Sequence, residues 1–501
     1  MIDLDGILLV GAAVLLVSVM AARLGSSVGL PALLLFLGLG MVLGDSGLGV
    51  AFDDADLAHA LGFGALVLIL AEGGLTTRWP DIRRSTPLAA LLAVVGTMVS
   101  TALTAAFAHM VLGLDLWTSV LLGAVCSPTD AAAVFSVLRR VPLPGRLRGV
   151  LEAESGLNDA PTVLLVTVAS ELALGHELAG GPLGLAGLVV LELVGGVLFG
   201  LVLGWVGTQV MRRVALPASG LYPLAAVGWP VLAYGVAAVA HTSGFAAVYV
   251  CALVLGNSQL PHRSATRSFV EGMGWIAQIG LFVMLGLLAT PSRLTWQAVA
   301  VALAAGVFLT LVARPLSVLA CALWFRLPGR HLAFMSWSGL RGAVPIVLAT
   351  IPLSYGVPGS DFLFDVVLVF VIVFTLAQAP TLPLAARLLR LDRGVVADVE
   401  VESAPLDKVS ASLLQIRIPP DSHLQGLTIA ELRLPRDAAV SLVVRGDHLF
   451  TPAGRDRLRS GDELLIVAPA ALSLQVENRL RALGRRGRLA RWWQESGSPE
   501  S

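Results

Sequence analysis

LEAESGLNDAPTVLL, residues 151–165, starts like a helix of a soluble protein and finishes like one bathed in hydrocarbon. It carries Glu152, Glu154, Ser155, Asn158 and Asp159, while the residues beyond Val163 and the runs on either side in sequence are almost wholly apolar. Of the 501 residues, 56% are hydrophobic and 14% charged, with a mean hydropathy of +0.83, well outside the range of soluble globular domains. The chain therefore reads as a polytopic, all-α membrane protein. Charged side chains inside a membrane are costly, and those that persist are paired within the bundle or carry function.

A helix needs about 20 apolar residues to cross the hydrocarbon, and on that template thirteen runs lie between residues 6 and 388. The fourth spans 87–111, the fifth 116–138, the sixth 147–172, the eleventh 296–325 and the twelfth 332–353. Formal net charge is zero, but the arginines are distributed unevenly. Seventeen, from Arg23 and the Arg78, Arg83, Arg84 group to Arg387, Arg390 and Arg393, follow odd-numbered runs, and Arg293 alone follows an even-numbered one. By the rule that short cytoplasmic loops hold the basic residues, the N-terminus lies outside and the C-terminus inside. The N-terminal stretch is acidic at its start and has its first arginine after the apolar run, so it reads as the first span rather than a cleaved leader. Cys126, Cys251 and Cys321 each sit in an apolar run and read as small packing residues, not as disulfides or metal ligands.

Few ionisable residues interrupt these runs: Glu72, Asp130, Glu152, Glu154, Asp159, Glu192, Arg314 and Arg341. At about 100° per residue, Ser155 and Asp159 share one helix face and Glu154 and Asn158 the adjacent one. Asp159 lies about 18 Å along the helix from Leu147, near mid-membrane. The fifth run contains SPTD, residues 127–130, and the twelfth RGAVP, residues 341–345. Proline cannot donate a backbone bond, and Ser, Thr and Asp compete for local backbone groups, so both runs are expected to unwind there. Counted within runs 1–6 and 8–13, both are fifth positions, with the seventh as an inverting connector. Interrupted helices at corresponding places in two halves point to the central site of a transporter, although either proline alone could mark a packing kink.

SPTDAAAVFS, ESGLNDA and GLRGAVPI resemble the signature stretches of cation/proton antiporters of the sodium/proton exchanger (NhaP-like) family, in the same order and over nearly all of 1–390. The resemblance implies two inverted six-helix repeats with crossed, interrupted helices 5 and 12. A core domain carrying the crossed helices would move against a dimer-forming domain. It also implies a cation/proton site of Asp159, Asp130, Ser155, the Thr129 carbonyl and Glu72, with Asn158 and a Glu154–Arg341 ion pair as structural support. K⁺ or Na⁺ and H⁺ are then substrates, with no cofactor, and the location is the bacterial inner membrane. Several hard oxygens suit a dehydrated alkali cation, and protons compete for the same carboxylates. Arg341 retains its proton, so it needs a partner, for which Glu154 is the candidate.

Other roles remain open for some of these residues. Asp130 could neutralise the positive end of the half-helix that follows it, and Glu72, close to a cytoplasmic helix end, could be hydrated. Glu152 lies nearer the cytoplasm; Glu192 and Arg314 read as packing or interface groups, His109 and His241 as interfacial. A cation channel could also use intramembrane carboxylates and broken helices. An intramembrane serine hydrolase is disfavoured, because no histidine lies at a suitable depth beside either Ser-Gly, and an enzyme is not expected.

After Arg393 the composition turns polar and acidic, which assigns 391–409 to a linker. Residues 410–490 then read as strand, short helix, hairpin, strand and helix, a small α/β module resembling the TrkA-C (RCK-C) domain of the potassium/proton, or cell-volume, subgroup. A nucleotide is its candidate ligand; nucleic acid is not an expected partner. The basic end of this module with the 491–501 tail, which includes Trp492 and Trp493, is either a solvated face or a helix resting on anionic headgroups.

Overall fold

In this computed structural model the apolar runs form helices, since only a helix satisfies its own backbone in hydrocarbon. The structure describes residues 4–28, 32–45, 47–50, 52, 54–130, 133–134, 141, 143–176, 181–289, 291–391, 400–406, 411–420, 422–446, 448–469, 472–487 and 490. The chain forms two compact units, one of residues 1–261 and 269–392, the other of 262–268 and 393–501.

In the first unit the helices follow the apolar runs within a few residues. They are α1 (Leu4–Val28), α2 (Ala32–Leu43), α3 (Ala55–Thr76), α4 (Thr86–Met110), α5 (Leu116–Cys126), α6 (Gly145–Leu157), α7 (Asp159–Ala173) and α8 (Gly181–Arg213). After them come α9 (Leu221–Val239), α10 (Gly244–Gly256), α11 (Arg263–Leu288), α12 (Trp296–Phe325), α13 (Gly329–Trp337), α14 (Ala343–Ser354) and α15 (Ser360–Leu388). Among the described residues, seven helices are long and apolar enough to cross a membrane by length and composition. Most of the shorter ones are halves of interrupted runs or pack beside them.

The interruptions have local causes. Helix α5 is capped at its start by Asp115, whose carboxylate accepts from Thr118 N at 3.0 Å. It stops at Cys126, where the Ser127 hydroxyl bonds back to Gly123 O at 2.6 Å and Pro128 offers no N–H. Helix α13 stops at Trp337, residues 339–342 carry no helix, and α14 begins with Pro345 in its first turn, where the missing N–H leaves no helical bond unmade. The two breaks cross, and Asp130 N donates to Leu340 O at 2.9 Å. The sixth run, expected as one helix, is instead divided at Asn158 into α6 and α7. Pro161 explains this: it cannot donate to the carbonyl one turn back. A π-helical turn also interrupts α4 at Leu92–Gly96 and α12 at Leu309–Ala313, the fourth helix of each half.

The second unit holds a five-stranded antiparallel sheet, ordered β1-β2-β5-β3-β4: β1 (Glu400–Leu406), β2 (Ala411–Arg417), β3 (Ala439–Arg445), β4 (His448–Phe450) and β5 (Glu463–Pro469). Gly446, at φ +59°, lies in the turn from β3 to β4. Alternating Leu414, Ile416, Leu464 and Ile466 point into a core shared with Val476, Leu480 and Leu483 of α16 (Ser473–Arg486). Part of the stretch expected as a linker is thus a strand, β1 pairing with β2 from Glu400↔Arg417 to Leu406↔Ala411. The remainder of the 391–409 segment, apart from Leu391, lies outside the described residues, as do Arg139, Arg140 and the 491–501 tail.

Candidate functional site

Among the described Asp, Glu, Lys and Arg residues of the membrane unit, five are buried: Asp130, Glu154, Asp159, Arg314 and Arg341, all between 1% and 4% exposed. Each is placed by an irregularity. Asp130 and Arg341 come from the two crossed breaks, Glu154 and Asp159 flank the division at Asn158, and Arg314 follows the π-helical turn of α12.

A broken helix leaves carbonyls at one cut end and N–H groups at the other, with partial charges of opposite sign. Arg341 serves the carbonyl ends: its Nε donates to Cys126 O, the last residue of α5, at 2.8 Å, and Nη1 donates to Gly339 O at 3.0 Å, just past α13. The Thr375 hydroxyl of α15 holds the Arg341 carbonyl. Asp130 serves an amino end, its Oδ1 accepting from Ala133 N at 3.4 Å.

The two breaks are tied to the α6–α7 junction by Asn158. Its Nδ2 donates to Thr129 Oγ1 at 2.8 Å and to Thr129 O at 3.2 Å. Beside it, both carboxylate oxygens of Asp159 are buried and form no hydrogen bond with any described residue. Asp159 and Asp130 are near enough to repel as like charges. Ser155, fully buried one turn before Asp159, donates to Glu152 O at 3.2 Å. Of the residues the resemblance implied, Asn158 is thus joined to Thr129 and Asp159 lies near Asp130, while the Ser155 hydroxyl turns to its own helix.

Glu72 is set differently. It projects from α3 towards α11, where a Cβ on Gly274 would lie 2.5 Å from its carboxylate carbon. It is only partly buried and makes no hydrogen bond to Asp159.

The expected Glu154–Arg341 pair is corrected by the structure. Glu154 is bound by Arg314 in a two-point fork, Nη1 to Oε1 at 2.5 Å and Nη2 to Oε2 at 3.0 Å, while Arg341 is occupied by the carbonyls. Arg341 still stands close by: a Cβ on Gly339 would lie 3.0 Å from Arg341 Nη1 and 3.1 Å from Arg314 Nε. Sequence reasoning left Arg314 as a packing group. A guanidinium just before Pro315, inside a run otherwise free of charge, was the signal available.

The sodium/hydrogen exchanger (transmembrane) family matches residues 11–387, and the TrkA-C domain matches 413–481. The chain belongs to the sodium/hydrogen exchanger family. It is a cation/proton antiporter, a multi-pass membrane protein of a transporter family. The K(+)/H(+) antiporter NhaP2 of Shewanella oneidensis is 35% identical over 93% of this chain and 81% of its own. The K(+)/H(+) antiporter NhaP of Alkalimonas amylolytica is 34% identical over 91% and 80%. The solved sodium proton antiporter MjNhaP1 of Methanocaldococcus jannaschii shares the fold at a TM-score of 0.64, with 21% identity, over 76% of this chain and 97% of its own.

Proposed function

We propose that this antiporter exchanges one monovalent cation for one proton at Asp159, without net charge movement, in cation, pH or volume homeostasis. The observation that carries it is the pair of buried Asp159 oxygens that no group among the described residues satisfies. A buried carboxylate needs a partner, and a proton and a small cation are alternatives for the same oxygens. Ser155 and the Thr129 carbonyl complete the candidate ligand set, with Asp130 and Glu72 as further candidates. K⁺ and Na⁺ are both candidate substrates, and the K(+)/H(+) names of the relatives favour K⁺. The proposal extends to a homodimer in the bacterial inner membrane with the N-terminus outside, in keeping with the arginine distribution. Residues 1–390 form the antiporter domain, and the module after it, now beginning with β1, regulates it, with a nucleotide as candidate ligand.

The test is exchange in proteoliposomes, where an imposed pH gradient collapses only when K⁺ or Na⁺ is present on the opposite side. Asp159→Asn abolishes that cation-dependent collapse while the protein remains folded in the membrane. Normal exchange by the variant overturns the site, and collapse without any cation points instead to a leak.

A further inference from the structure

Tyr249 of α10 is 2% exposed, yet its hydroxyl forms no hydrogen bond with any described residue. Its polar neighbours are Glu152 of α6 and Thr77 just past α3, whose own hydroxyl proton is given to Gly73 O at 2.6 Å. A buried hydroxyl without a partner is costly, and a phenylalanine ring would avoid that cost. The ring itself lies across α6 at Gly156, where a Cβ would be 2.7 Å from its Cε2, 2.8 Å from Cζ and 3.2 Å from the hydroxyl oxygen. Only a glycine admits the ring so closely.

Glu152, Gly156 and Asp159 follow at spacings of four and three, so they form one stripe along α6 and the start of α7. The helical backbone carries on through Asn158, at φ −78° and ψ −19°. At 1.5 Å per residue, Gly156 is about 6 Å past Glu152 and about 5 Å short of Asp159. Tyr249 therefore covers the stripe between a half-buried carboxylate and the exchange carboxylate. Its helix is locked to others by glycines: a Cβ on Gly74 of α3 would lie 2.6 Å from Ala252 Cβ, and one on Gly200 of α8 2.6 Å from Ala247 O. Helix α6 is tied instead to the crossed breaks, through Asn158. The ring thus bridges two differently anchored groups of helices.

We propose that Tyr249 gates the path to Asp159 from the side on which α6 begins, its ring closing the stripe at Gly156 and its hydroxyl passing a monovalent cation from Glu152 to Asp159. This rests on the assignment of Asp159 and on the orientation proposed above, in which that side is cytoplasmic. The phenol oxygen offers a hard, neutral lone pair between two carboxylates, which suits a partly dehydrated alkali cation. The hydroxyl keeps its proton throughout, and only the cation moves.

The experiment reads both halves of the gate in the full chain. A thiol placed at the site by Asp159→Cys is labelled with a membrane-impermeant thiosulfonate from each face of sealed vesicles, with and without Tyr249→Ala. Tyr249→Ala alone serves as the control for Cys251. Opening the gate is expected to speed labelling several-fold from the cytoplasmic face and to leave the rate from the other face unchanged. In proteoliposomes Tyr249→Phe, which keeps the ring and loses the oxygen, is expected to raise KM for K⁺ and Na⁺ about tenfold with a smaller fall in kcat. Tyr249→Leu, which also uncovers Gly156, replaces Tyr249→Ala should the latter not fold. Labelling that is no faster, or equally faster from both faces, overturns the proposal, as does an unchanged KM in Tyr249→Phe. Asp159→Asn, assayed alongside, keeps the two readings apart: exchange that survives it refutes the site, whereas its loss together with an unchanged KM in Tyr249→Phe refutes only the gate.

Discussion

Removing Arg314 should damage the fold more than its place beside a proline suggests. The guanidinium is 4% exposed and Glu154 2%, and the two make a fork with both oxygens engaged. Arg314→Met keeps the volume and removes the charge, leaving a buried carboxylate whose nearest cation, Arg341, is already spent on Cys126 O and Gly339 O. Breaking a buried pair by deleting one partner costs about 3–5 kcal/mol, whereas replacing both partners by apolar groups is often neutral. Arg314→Met is therefore expected to lower the thermal midpoint by several degrees, and Glu154→Leu/Arg314→Met to recover most of the loss. Arg341→Met should show no such rescue by Glu154→Leu, because its partners are main-chain carbonyls that stay buried. The assay is fluorescence-detected thermal unfolding of the purified full chain, compared across the cycle. If Glu154→Leu rescues Arg341→Met and leaves Arg314→Met unchanged, the pairing described here is wrong.

Three further outcomes are expected. Asn158→Ala removes both bonds to Thr129, each to a buried partner, and should slow exchange while costing about 1–3 kcal/mol of stability; an unaltered rate in proteoliposomes would show that the tie is dispensable. In the second unit burial pulls the Asp462 carboxyl up, but bonds from Arg445 at 2.8 and 2.7 Å and from Arg459 N at 2.8 Å outweigh it and hold it below the usual carboxylate range. Its contribution is then complete above the unfolded value of about 4 and is lost as pH falls through the folded one, so Asp462→Asn should speed hydrogen exchange in β3 and β5 at neutral pH; equal protection at pH 7 would remove the pair from the account. Truncation after Asp392, ahead of β1, should leave cation-dependent exchange intact and change its pH profile, and complete loss of exchange from well-folded protein would contradict a purely regulatory module.

The sequence resolved most of the architecture because hydrophobic run length is a direct consequence of bilayer thickness, and the starts and stops of α3, α8, α12 and α15 fall within a few residues of those runs. The breaks were legible for a different reason: Pro128 and Pro345 delete backbone donors whatever surrounds them. Pro161 acts by the same rule, yet the helix periodicity of residues 147–172 concealed the division it causes at Asn158. Choosing between Arg314 and Arg341 as the partner of Glu154 was beyond the pattern. Both lie at plausible depth, and the choice depends on which guanidinium the cut helix ends claim, a tertiary fact. Strand β1 was missed because acidic, small and proline residues at 400–406 carry weak strand preference; it forms by pairing with the strongly apolar β2.

The charge balance at the crossing bears on the stoichiometry. Of the five buried Asp, Glu and Arg side chains among the described residues of the membrane unit, Glu154 is matched by Arg314 and Arg341 stands at two carbonyl ends. Asp130 supplies the second anion, so two cations and two anions offset one another, and Asp159 is left as one uncompensated charge. A cluster that is neutral apart from a single carboxylate is satisfied by one proton or by one monovalent cation, and by neither of them twice. Voltage should then leave the exchange rate of reconstituted protein almost unchanged. A steep voltage dependence, with a reversal potential fitting two protons per cation, would show that a second carboxylate titrates, and Glu72, half-buried against Gly274, would be the first to examine.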